Sequence, residues 1–143
     1  MIAYFDTSAL VPLIAAEAGS AAARQLWDEA SRVASVRLVY PEARAALAQA
    51  RREGRIAARQ LRPAVRALDG FYLQLDVVEV DEALAHDAGE LAEAHALRGY
   101  DAVHLAAAQR LEDAELVLAA GDRALLGAAN RLGLSTALVG GRG

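Results

Sequence analysis

The run "MIAYFDTSAL" at residues 1–10 decides how the rest of the chain is read. Ile2, Ala3, Tyr4 and Phe5 are apolar in succession and look like a short buried strand. Asp6 follows at once, with the hydroxyls of Thr7 and Ser8 behind it. A carboxylate placed there is either a helix cap or a ligand.

Working outward, three more runs have strand character: "VASVRLV" (33–39), "LDVVEV" (75–80) and "ELVLA" (115–119), with "LSTALV" (134–139) as a fifth candidate. Between them lie Ala- and Leu-rich stretches with apolar residues at helical spacing, as at Leu84, Ala88 and Leu91. Strands alternating with helices imply parallel pairing, so the expected fold is α/β, a three-layer α/β/α sandwich around a central parallel sheet. Helix starts are expected at Ser8, at Gly19-Ser20, at Asp81 and within "RGYD" (98–101), and Pro41 suits a first helical position. Pro63 predicts two helices, or one kinked helix, in its neighbourhood.

The 143 residues fit one domain, expected over 1–143 with a frayed tail from 137 to 143. With 55% hydrophobic and 24% charged residues the balance is globular. No cysteine is present, which excludes disulfides and thiolate metal sites. No apolar run is long enough for a membrane helix and no signal peptide is legible, so a cytoplasmic protein is expected. The net charge of −4 opposes phosphate binding, yet distribution matters more than the sum. All fifteen basic residues are arginine, and seven of them (44, 51, 52, 55, 59, 62 and 66) fall in one stretch opposed only by Glu53.

Four carboxylates occupy the same kind of place. Asp6 ends the first strand, Glu42 follows the second across Tyr40 and Pro41, Asp122 follows the fourth across Ala120 and Gly121, and Asp101 opens "YDAVHLAAAQRL". In a parallel sheet the strand C-terminal ends share one edge, where ligands bind. Taken singly, each acid is a cap or a helix-dipole partner worth about 0.3–2 kcal/mol. Gathered in one crevice they would repel one another, and a hard cation relieves that. Mg2+ or Mn2+ suits an all-oxygen site, and zinc is the poorer choice without cysteine or paired histidines. Such a site supports metal-assisted phosphodiester hydrolysis.

"FDTSAL", "PEARAAL", "YDAVHLAAA" and "AAGDRALL", in this order, closely resemble the PIN-domain family, in particular the VapC-type toxins of bacterial toxin–antitoxin modules. The resemblance implies a Mg2+- or Mn2+-dependent endoribonuclease acting on tRNA, rRNA or mRNA. By position it implies Asp6, Glu42 and Asp101 as the principal metal-site acids and Asp122 as a fourth. Ser8 would support Asp6 or bind a metal water. It further implies a homodimer silenced by a cognate VapB-type antitoxin that covers the groove. One departure is Ala120, where many relatives carry Thr or Ser.

His104, three residues after Asp101 on the same helical face, is either a metal or base residue or a packed, hydrogen-bonded one, and the packed reading is favoured, while His86 and His95 look like polar-face residues. Arg51, Arg55, Arg59, Arg62 and Arg66 would share one helical face unless Pro63 reorients the chain. That face is either solvated or a phosphate-contacting wall, with Arg51, Arg55 and Arg59 as the candidate RNA contacts. Tyr40, Tyr100 and Trp27 are the aromatics expected nearest a groove. A catalytically impaired PIN-like binding module is the competing reading, with Ala120 as its footing. Aspartyl phosphotransfer is disfavoured by Ser8 at the position of a second Asp and by the absence of lysine.

Overall fold

A computed structural model describes residues 1–111 and 115–142. Its centre is a five-stranded, all-parallel sheet in the order β3-β2-β1-β4-β5, built from β1 (Ile2–Phe5), β2 (Arg32–Val36), β3 (Asp76–Val78), β4 (Leu116–Asp122) and β5 (Ser135–Arg142). The chain moves outward from β1 to β3, crosses back to place β4 against β1, then moves outward again to β5. The strand order therefore reverses between β1 and β4. In open α/β sheets that reversal opens the ligand crevice beyond the strand C-terminal ends.

Alternation along the strands fills two cores. Ile2 and Tyr4 of β1, with Leu116, Leu118 and Ala120 of β4, face α5 (Glu82–His95), α6 (Gly99–Arg110) and α7 (Arg123–Arg131). Ala3 and Phe5, with Ala119, face α1 (Thr7–Leu10), α2 (Ser20–Glu29), α3 (Val39–Arg52) and α4 (Ala58–Gln74). Burial on both faces is why β1 has no polar alternation. Phe5 packs edge-on against Trp27 at 5.3 Å, and Trp27 against Phe71 at 5.0 Å, which fixes α2 and α4 to the strand. Truncating the fully buried Phe5 to Ala should cost about 3–5 kcal/mol.

Several element limits differ from expectation. β2 stops at Val36 and α3 begins at Val39, so Pro41 is the third helical residue rather than the first. Its missing donor is harmless there, because amides of the first turn have no partner within the helix. β3 is confined to Asp76–Val78, and β4 runs on through Ala120 and Gly121 to include Asp122. β5 reaches Arg142, so the tail expected to fray from 137 is strand to that point, and Gly143 lies outside the described residues. The arginine-rich stretch does form two helices, but the break falls at Gly54, whose φ of 76° suits only glycine well, and Pro63 lies inside α4. No helix among the described residues is long and apolar enough to cross a membrane.

Candidate active site

Each acid is carried to the crevice by a different element. Asp6 caps α1 directly after β1, its side chain accepting from the Ser8 amide at 3.3 Å. Asp122 ends β4 and caps α7, accepting from the amides of Ala124 and Leu125. Glu42 lies in the first turn of α3, and Asp101 in the first turn of α6. All four line one cleft of about 970 Å³, together with Thr7, Ser8, Arg98 and Arg123.

Ser8 does not cap α1 as expected. It lies inside the helix, and its hydroxyl donates to Asp6 Oδ2 at 2.5 Å while accepting the Gly121 amide at 2.8 Å. Asp6 is thus cap and cleft residue at once, and Ser8 ties β1 to β4. Gly121 has to be glycine here, since a Cβ would stand 2.9 Å from the Val139 carbonyl oxygen. Ala120 points into the core on the α5–α7 side, and the polar contact beside Asp122 is supplied by Ser8.

The acids form two pairs, each sharing one basic side chain. His104, only 1% exposed, directs Nε2 at Asp6 Oδ1 (3.1 Å) and at Glu42 Oε1 (2.9 Å). Facing two carboxylates, Nε2 carries the proton, and Nδ1 meets the buried Tyr4 hydroxyl at 2.8 Å. Burial opposes charge on His104, but Asp6, Glu42 and Asp101 outweigh it and hold its pKa above the usual value. Burial first, then Asp6, pushes the Tyr4 phenol well up, so it remains a neutral partner. Thr7 donates to Glu42 Oε1 at 3.1 Å.

In the second pair Arg98 donates from Nε to Asp101 Oδ2 at 3.1 Å and from its terminal nitrogen to Asp122 Oδ2 at 3.4 Å. Burial raises the Asp101 carboxyl despite Arg98, with Asp122 and Asp6 adding to the rise. Glu42 Oε2 and Asp101 Oδ1 have no hydrogen-bond partner among the described residues.

Among the described residues no three acidic or histidine side chains are gathered at the spacing of a finished metal site. The donor set is nonetheless of the kind a hard cation takes. It is all carboxylate oxygen, partly dehydrated, with two oxygens turned to no protein donor.

The predicted arginine face is not formed. Arg51 is on α3, Arg55 is in the turn and bonded to Glu53 at 2.6 Å, and Arg59 is on α4. Of these only Arg55 lines the cleft. Tyr40 packs against Tyr72 and Trp27 against Phe5 and Phe71, so neither borders the crevice, and Tyr100 is exposed outside it. His104 is packed and hydrogen-bonded as expected, and His86 and His95 lie on polar faces beside Glu82 and Arg131. Thr7, Tyr4 and Arg98 join the site without having been singled out for it. The one signal was placement: a phenol inside an apolar strand, and an arginine one turn before Asp101.

A doubly wound parallel sheet with acids gathered at its switch point defines a class of α/β domains. The chain belongs to the PIN-domain family, whose sequence profile matches residues 3–130. It is 44% identical to Ribonuclease VapC45 of Mycobacterium tuberculosis (strain CDC 1551 / Oshkosh), over 95% of this chain and 94% of that one. The fold is shared with M. tuberculosis VapC20, a sarcin-ricin loop cleaving toxin (TM-score 0.67, 22% identity, 88% of this chain and 94% of that one). It is also shared with a toxin–antitoxin complex from Klebsiella pneumoniae (TM-score 0.60, 21% identity, 84% and 86%).

Proposed function

We propose that this chain is a Mg2+- or Mn2+-dependent endoribonuclease toxin of the cytoplasm, with Asp6, Glu42, Asp101 and Asp122 as the cation-holding acids. The observation that carries the reading is the convergence of these acids, from β1, α3, α6 and β4, on one cleft at the strand reversal. The 44% identity to a named ribonuclease supports RNA as substrate. Support for an antitoxin partner comes from the Klebsiella toxin–antitoxin complex, whose fold this chain shares, and the reading further takes the antitoxin to cover the cleft and two copies of the chain to pair.

When bound at these acids, the cation supplies charge neutralisation for the phosphodiester and a more acidic water for in-line attack. The residues of the chain arrange the rest. Ser8 and His104 each hold one oxygen of Asp6, so the carboxylate cannot rotate away from the cleft. Thr7 and His104 hold Oε1 of Glu42, so that Oε2 would be free to help hold a cation. Arg98, Arg123 and Arg55 stand on the cleft walls and provide positive charge for a polyanion that the acids would otherwise repel. Arg51 and Arg59 are left to a supporting electrostatic role away from the cleft.

The test is cleavage of tRNA and rRNA pools with and without Mn2+. Metal-dependent cleavage by the wild-type chain that is lost in Asp6→Asn is expected. Cleavage retained in a pure Asp6→Asn preparation would contradict the assignment.

A further inference from the structure

Arg98 differs from every other charged group in the cleft. Its side chain is 82% exposed at the N-cap of α6, and its partners are Asp101 and Asp122, two of the acids that face the cleft. Arg55 is committed to Glu53, and Arg123 has no ion-pair partner among the described residues. Asp101 and Asp122 are only 14% and 25% exposed, but the guanidinium that meets them is in solvent, where water screens it and a long side chain must be ordered to hold the pair, so the pair is weak on the Arg98 side. A divalent cation held by the same two carboxylates brings twice the charge beside the oxygens that Arg98 holds and repels the guanidinium. The displaced side chain is unpacked, stays in a cleft that would admit RNA, and has a planar fork of donors that matches a phosphate.

We propose that Arg98 exchanges partners, bridging Asp101 and Asp122 until a divalent cation binds and then taking a phosphate of the RNA. The inference rests on the ribonuclease reading above. It makes Arg98 a competitor of the cation and a binder of the substrate, so RNA and cation assist one another: phosphate that occupies Arg98 frees the carboxylates, and linkage makes the assistance reciprocal.

The experiment is calorimetric titration of Mn2+ into the full chain as wild type, Arg98→Gln, Arg98→Lys and Arg123→Gln, with KM for a single-stranded RNA oligonucleotide measured at saturating Mn2+. Arg98→Gln is expected to bind Mn2+ about three- to tenfold tighter without RNA, the scale of losing weak surface pairs. Its KM should rise more than its kcat falls. Arg98→Lys, which keeps the charge without the fork, should fall between wild type and Arg98→Gln in both measurements. Unchanged or weaker Mn2+ binding in Arg98→Gln would overturn the exchange, as would an unchanged KM. Equal tightening in Arg123→Gln would also overturn it, since the general field of the cleft would then explain the effect. A wild-type chain that bound no Mn2+ would remove the ribonuclease reading itself, and is separable because it shows before any variant is compared.

Discussion

Asp6 and Asp81 obey the same local grammar and meet different ends. Each follows a short parallel strand, each has extended backbone, and each accepts an amide from the first turn of the helix it caps. Asp81 stands beyond β3 at the sheet margin, 57% exposed, with both oxygens taken by Arg110 at 2.9 Å. Asp6 stands beyond β1 beside the strand reversal, 6% exposed, and shares His104 with Glu42. One arginine satisfies the first acid completely. The second is surrounded by further acids brought in by three other elements. What turns a helix cap into a cleft acid is the strand's place in the sheet, because only the reversal point collects several strand ends and helix starts.

The largest effects should separate these two acids. Asp6→Asn is expected to lower metal-dependent RNA cleavage by more than roughly a hundredfold, beyond the 10–100-fold typical of an outer-shell partner. Asp81→Asn should leave cleavage unchanged, and equal losses in initial-rate assays would break the comparison. Stability comes next. His104→Ala leaves Asp6 and Glu42 facing each other without the imidazole they share, and should cost about 3–5 kcal/mol in urea unfolding. Removing Arg110, the exposed cation of Asp81, should cost far less.

The two acids' surroundings should also answer pH in opposite senses, with chelator present. Leu84's amide and then Arg110 hold the Asp81 carboxyl below its usual range. Its contribution is present above the unfolded value of about 3.9 and is lost as pH falls through the depressed native value. His104 is held above its usual value, so its contribution is present below about pH 6.5 and is lost as pH rises through the raised native value. Unfolding profiles of Asp81→Asn and His104→Gln against wild type should converge at the acid and alkaline ends respectively. The smallest effect concerns α5, which Asp81 begins and Ala96 ends at φ 53°. Ala96→Gly relieves that left-handed backbone and should raise stability by about 0.5–1 kcal/mol without changing Mn2+ affinity.

The sequence made the layered parallel fold legible because the strands carry unbroken apolar runs and the helices between them carry a clear period. β1 was found residue for residue, from Ile2 to Phe5. The acids were legible because each sits where a strand stops or a helix starts, and position along the chain reports that. Boundaries were harder. Nothing in "SVRLVY" shows that the chain leaves the sheet after Val36, since Leu38 and Val39 are as apolar as a strand residue and are covered for a different reason, Leu38 partly and Val39 fully, as the entry to α3. β4 seemed to end before its glycine, yet Gly121 is what lets β5 come close enough to pair.

The partners of the acids were least legible. His104 meets Tyr4 across 100 positions, and Arg98 meets Asp122 across 24, so no local pattern announces either contact. The arginine stretch misled for the opposite reason. Its regular spacing looked like one face, while the turn at Gly54 divides it between two helices.

The central claim is that the reversal-point acids, and no others at that edge, take up a divalent cation. Calorimetric titration of Mn2+ into the wild-type chain, Asp6→Asn and Asp81→Asn tests it directly. The account predicts saturable binding in the wild type, the same binding in Asp81→Asn and its loss in Asp6→Asn. Binding that survives in Asp6→Asn, or that disappears in Asp81→Asn, would contradict it.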